Sequence, residues 1–307
     1  MFTVKTRAIL YGEHHDPLQR MLDYDYLCRR EPSVVAIVNP ARAGWHKVFW
    51  GKKEIVIPVY RSLGETSEAE VLINFASARS AVPVVMEGLG YKSLRCIVVV
   101  AEGVREREAR IMAVKAKEKG VMVIGPATVG GLRAGAFRIG NTGGSIENIV
   151  AAKLYRPGSV GLVSRSGGML NEMFNIIAQE TDGVVEGVQI GGDRFPATGF
   201  VDHLLRFEQD GAIKMQVCLG EVGGGDEVKI AEAIEAGQIK KPVVFWAIGT
   251  SAEVFSHEVQ FGHAGALKLT EDQSARYKNK RLREAGAFVP ESFNDFGKMI
   301  GAVYRSL

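Results

Sequence analysis

His263 lies in FGHAGA (261–266), flanked by Gly262 and by Ala264-Gly265. No bulky neighbour is at hand to bury the ring. Imidazole is one of the few side chains that takes up a phosphoryl group and hands it on near neutral pH, although a lone histidine is equally compatible with a structural or merely exposed ring. Glu221, in LGEVGG, closes an apolar run. A carboxylate there is suited to hold the distal ring nitrogen of a histidine, as in triad-like arrangements, or simply to cap a helix. Ser166, Gly167 and Gly168 end the string SRSGG. A Ser-Gly-Gly turn opening a helix offers free N–H groups and the positive end of the dipole to a phosphate or carboxylate. The same serine is also an ordinary N-cap. In NFASARS (74–80), Ser77, Arg79 and Ser80 offer two hydroxyls and a guanidinium to a phosphorylated cofactor.

The elements that must position these residues alternate. Short β-branched runs, expected as strands at 6–12, 34–39, 71–75, 96–101, 122–125, 160–164, 184–190, 215–219 and 243–248, are separated by helical patterns such as Leu170, Met173, Phe174 and Ile177. Alternating β and α predicts parallel sheets with right-handed crossovers, a doubly wound α/β fold. A glycine-rich break at 140–157 places a boundary near residue 150, giving domains 1–150 and 151–307. Ligands of such sheets sit beyond the C-terminal strand ends. The loops there are NPARAGW (39–45), NFASARS, SRSGGM and GEVGGG, with FGHAGA about a dozen residues beyond the last expected strand.

Composition narrows the function. The 307 residues carry 38 Lys+Arg and 35 Asp+Glu, a formal charge of +3. Nothing in that balance favours nucleic acid or an anionic membrane as partner. No apolar stretch approaches the roughly 20 residues of a membrane helix and the start is unlike a signal peptide, so the chain is expected to be cytoplasmic. Three separated cysteines fit buried thiols and give neither a disulfide framework nor a metal site, and no metal is expected on this chain. The first βα turn, LYGEHHD, lacks G-x-G-x-x-G and argues against a standard NAD site; its His14-His15 pair is expected to be loop.

Taken in order, AEG (101–103), IGPATVGG (124–131), SRSGG, GGDRFP (191–196), GEVGG and FGHAGA resemble the α-subunit of acyl-CoA synthetases of the succinyl-CoA synthetase type. Further strings, INFASARSA, WGKKEI, IGNTGG, KLYRPGSV, IGGDRFP and EVQFGHAGA, resemble the citrate branch of that superfamily, the citryl-CoA synthetase module of ATP-citrate lyase. The resemblance implies a CoA-binding Rossmann-like domain over 1–150, then a flavodoxin-like domain over 151–307 carrying a phosphohistidine. It implies that His263 is phosphorylated and oriented by Glu221, and that the Ser166-Gly167-Gly168 turn holds the phosphohistidine. Ser77, Arg79 and Glu102 match positions near CoA, with Asn39 in the neighbouring loop as a further CoA-binding candidate. LYGEHH departs from the family's more glycine-rich turn.

Arg194 of GGDRFP is a candidate for binding the extra charge of citrate; the alternative is that it pairs with Asp193 or a surface acid and only shapes the loop. The implied activity is formation of citryl-CoA from citrate, CoA and ATP. Nothing in the chain resembles an ATP-grasp domain or a citryl-CoA lyase. ATP and Mg2+ are therefore expected through a β-type ATP-grasp partner subunit, with a separate citryl-CoA lyase as a further partner. A succinyl-CoA synthetase α-subunit and a non-catalytic CoA-binding protein are the rival readings.

Overall fold

The computed structural model describes residues 2–250, 262–268 and 270–307. Strands β1 (Ala8–Tyr11), β2 (Val34–Val38), β3 (Gly44–Trp50), β4 (Lys53–Tyr60), β5 (Val71–Asn74), β6 (Cys96–Val99) and β7 (Met122–Ile124) form one sheet, in the order β3-β4-β2-β1-β5-β6-β7. Strands β8 (Gly131–Arg133), β9 (Phe137–Arg138), β10 (Val160–Ser164), β11 (Val184–Gln189), β12 (Met215–Glu221) and β13 (Val243–Ile248) form the second, in the order β13-β12-β10-β11-β8-β9. The architecture is α/β, with mostly parallel strands.

Burial explains the central strands. Every residue of β5, β6, β10 and β12 is buried, as expected when helices cover both faces of a parallel sheet. Helix α1 (His15–Leu27) sets Leu18, Met21 and Leu22 into a core that also contains Phe137, Ile139 and Leu154, so one apolar cluster runs from the first sheet into the second.

Two features differ from the sequence expectation. Residues 44–60, read partly as loop, form an antiparallel β3–β4 hairpin on the sheet edge, turning at Gly51, whose φ is +60°. The sheets also do not divide at 150. After β7 the chain crosses over, and β8 pairs antiparallel with β11 before that point. Residues 131–138 thus complete the second sheet, because the edge of β11 needs backbone partners that the segment just past the crossing supplies. Tyr24 ties this region to α1: its hydroxyl donates to the Leu154 carbonyl at 2.8 Å and accepts from Gly135 N–H at 2.9 Å.

Candidate active site

In the second sheet, parallel β10 and β12 lie side by side, so their C-terminal ends deliver SRSGG and GEVGG to neighbouring positions. Glu221 is the last residue of β12 and is 3 % exposed. His263 Nδ1 meets Glu221 Oε2 at 2.8 Å. The hydrogen bond to Glu221, opposed by burial, holds the His263 pKa above its ordinary range; the Glu102 charge acts in the same direction and Arg165 against it. Residues 258–261 of EVQFGHAGA lie outside the described residues.

Glycines build the shelf beneath the imidazole. A β-carbon on Gly192 would meet His263 Cδ2 and Cγ at 2.7 Å, so the ring occupies space that only glycine leaves. Gly265 N–H donates to the Gly192 carbonyl at 3.0 Å, joining the histidine loop to the loop after β11. Gly223, at φ +89°, would carry a β-carbon into the backbone of Gly265 and Leu267. Arg165, 1 % exposed, steadies the shelf by donating to the Gly191 and Asp193 carbonyls, both at 3.2 Å.

The Ser166-Gly167-Gly168 turn takes the form of a helix cap. Ser166 N-caps α5 (Gly167–Glu180), its hydroxyl accepting from Met169 N–H at 3.3 Å. Gly167 packs where a β-carbon would touch Val129, whereas a β-carbon on Gly168 would meet open space.

The first sheet contributes an acid. Asp193 accepts from Gly103 N–H at 3.5 Å, which brings the Glu102 loop after β6 against the loop after β11. Burial raises the Asp193 pKa, hydrogen bonds from Gly103 and Val104 oppose that, and the Glu102 charge adds to it. Arg194 turns outward instead. Its guanidinium lies 3.5 Å from Glu106 and stacks over Phe195, in the manner of the alternative in which it pairs with a surface acid.

The other residues lie at the crevice of the first sheet, where the chain order reverses between β1 and β5. Ser77 N-caps α2 (Ala78–Gly88) without using its hydroxyl, and both Ser77 and Arg79 are exposed. Asn39 is half-buried and donates to Glu13 Oε2 at 2.9 Å. Glu13 also receives Arg42 and, at 2.7 Å, His46 Nδ1. Against a desolvation penalty, the hydrogen bonds from His46, Asn39 and Arg42 pull Glu13 down to about 2. His14, expected in a loop, stacks on Phe75, and His15 opens α1 while contacting His46 at 3.1 Å.

Sequence reasoning gave no role to Gly192, Arg165 or Glu13, and weighed Asp193 only as a partner of Arg194. All four stand in SRSGG, LYGEHHD or GGDRFP, but nothing local shows that a ring from 71 positions later rests on Gly192. Among the described residues, no group of three His, Cys, Asp or Glu side chains is arranged to hold a metal ion, and no helix is long and apolar enough to cross a membrane.

Residues 163–288 match the CoA-ligase family. Over 313 residues the chain is 52 % identical to the "Probable ATP-citrate synthase subunit 1" of Schizosaccharomyces pombe, covering 100 % of this chain and 51 % of that protein. The structure of ATP citrate lyase from Methanothrix soehngenii in complex with citrate and coenzyme A superposes with a TM-score of 0.98 at 54 % identity, covering 100 % of this chain and 51 % of that one. The dinucleotide-forming acetyl-coenzyme A synthetase 1 of Ca. Korarchaeum cryptofilum shares the fold, with a TM-score of 0.68 at 16 % identity over 98 % of this chain and 61 % of that one. Residues 163–288 therefore form a CoA-ligase domain. Over its whole length the chain is similar to one part of ATP-citrate synthase and ATP citrate lyase. It spans about half the length of those two relatives.

Proposed function

We propose that this chain is the α-type part of an ADP-forming citrate–CoA ligase, and that it forms citryl-CoA through a phosphohistidine at His263. The observation that carries the reading is the 2.8 Å contact from His263 Nδ1 to Glu221. With Nδ1 donating to the carboxylate, Nε2 is the nitrogen that accepts the phosphoryl group, and Glu221 balances the charge that develops on the ring.

In the first step the N–P bond to His263 forms as the bond from the γ-phosphorus to the ADP oxygen breaks. The phosphoryl group then passes to a citrate carboxylate oxygen, breaking the N–P bond and returning the histidine. Last, the CoA thiolate attacks the acyl carbon, a C–S bond forms, and inorganic phosphate leaves. Splitting one hard acyl activation into such transfers keeps each barrier modest.

The Ser166-Gly167-Gly168 turn is the proposed cradle for the phosphoryl group, and its N–H groups and helix dipole favour that charge. Ser77 and Arg79 are the proposed CoA contacts, with Asn39 beside them and Glu102 at the junction of the CoA and acyl sites. Arg194 is proposed to reach citrate from the shelf loop on leaving Glu106. ATP and Mg2+ come through a β-type ATP-grasp partner, and a separate citryl-CoA lyase consumes the product. The domains are proposed as 1–150 for CoA and 151–307 for the phosphohistidine, with residues 131–138 of the first completing the sheet of the second.

The deciding experiment combines the chain with such a partner and γ-labelled ATP. Acid-labile, alkali-stable label on His263, absent from His263→Ala, is expected, together with CoA-ester formation on citrate in preference to succinate. Label without citrate preference supports a succinyl-type ligase; CoA binding without label supports a non-catalytic CoA-binding protein.

A further inference from the structure

Glu221 is itself held from behind. Its N–H donates to Glu227 Oε1 at 3.2 Å, and its carbonyl accepts from Lys278 Nζ at 2.7 Å. Lys278 also donates to Glu227 Oε2 at 2.6 Å and to the Gly223 carbonyl. An ammonium group has three donors, and here all three are used. Both side chains of the pair are completely buried. Gly220 makes room for this, since a β-carbon there would meet Glu227 Cγ at 2.8 Å. Arg165 Nε lies 3.8 Å from the same carboxylate.

A buried ion pair is a poor way to gain stability, because desolvation consumes most of the attraction and apolar side chains of similar volume often serve as well. What a buried lysine supplies and an apolar residue cannot is fixed donors to particular carbonyls. The need is plain at Glu221, whose Oε1 is buried without a hydrogen-bond partner among the described residues. That oxygen gives the carboxylate no anchor, so its aim at His263 is set by the main chain. We infer that Lys278 and Glu227 are positioning residues for phosphoryl transfer, clamping the backbone of Glu221 and Gly223 so that the Glu221 carboxylate meets His263 Nδ1 in one fixed geometry.

This inference rests on the reading of His263 as phosphoryl acceptor, and its test separates the two. Lys278→Met with Glu227→Gln removes one cation and one anion, leaving Arg165 and Glu221 balanced. In the full chain with its partner, phosphorylation of His263 is expected to slow at least tenfold while CoA affinity stays unchanged. The ring titration of His263, followed by NMR, is expected to fall towards the ordinary 6.5, because the group that raises it is no longer aimed. The other charges facing the ring, Glu102, Asp193 and Arg165, are untouched, so a midpoint that does not move overturns the clamp.

If wild-type His263 takes no label, the ligase reading fails and the titration still decides the clamp. If the double variant does not fold, amide exchange in the wild-type protein decides. Glu221 N–H exchanging as slowly as the middle of β12 supports the clamp, and exchange at the rate of an exposed loop overturns it.

Discussion

The imidazole of His263 rests on Gly192 so closely that a single methyl group there would sit 2.7 Å from two of its ring carbons. The two residues are 71 positions apart and arrive from different loops, so the ring's orientation depends on the absence of one side chain as much as on the presence of Glu221.

Gly192→Ala is therefore expected to push the imidazole off its shelf and lower His263 phosphorylation at least tenfold. Its backbone φ is not in the left-handed region, so alanine itself is unstrained and the effect is steric. Labelling from ATP, with CoA affinity by calorimetry as the control, checks it. A labelling rate within threefold of wild type would show that the ring can move without loss.

The His263–Glu221 contact should also appear in the pH dependence. Its pKa is raised, so the folded chain holds a proton that the unfolded chain has released. The stabilisation is present in full below the ordinary 6.5 and is lost as pH rises through the higher folded value. Thermal midpoints on either side of 6.5 should thus fall with rising pH more steeply in wild type than in Glu221→Gln. Because the ring accepts a phosphoryl group only when deprotonated, the acid limb of the phosphorylation rate should move to lower pH in Glu221→Gln.

Much of this was legible in order and not in depth. The nine runs expected as strands are strands because each is a short β-branched segment with turn residues after it, and the glycine loops follow them for the same reason. The hairpin at 44–60 was not legible: it buries only Val48, Ile57 and Val59 while Trp45, Phe49 and Val56 are exposed, so apolar residues fall on both faces and the alternation says little. Strands of three and two residues at 131–138 carry no periodicity at all. Lys278 stands in YKNKRLRE, which reads as a solvated helix face, and only the tertiary fold turns this one cation inward.

Arg79→Ala should weaken CoA binding about tenfold, the roughly 1.4 kcal/mol of one charge-assisted hydrogen bond, and leave His263 labelling unchanged. Calorimetry with CoA tests it. Unchanged affinity would move the phosphate contacts elsewhere in the crevice between β1 and β5.

Arg194→Ala is expected to raise the citrate KM or lower turnover at least tenfold, with CoA affinity constant. Its pair with Glu106 is partly exposed, at 40 % and 58 %, and such surface pairs contribute less than about 1 kcal/mol. Glu106→Gln should therefore leave the citrate KM within threefold. Equal effects from the two variants would assign Arg194 to shaping the loop.

The crossing of the chain ahead of β8 limits how this protein can be divided. A fragment beginning at 151 would expose Glu186–Val188 along β11 as a bare edge, the kind of surface that recruits other chains into aggregates. Its complement would end in two short strands with no sheet to join. Attempts to express the two halves apart should fail at that joint.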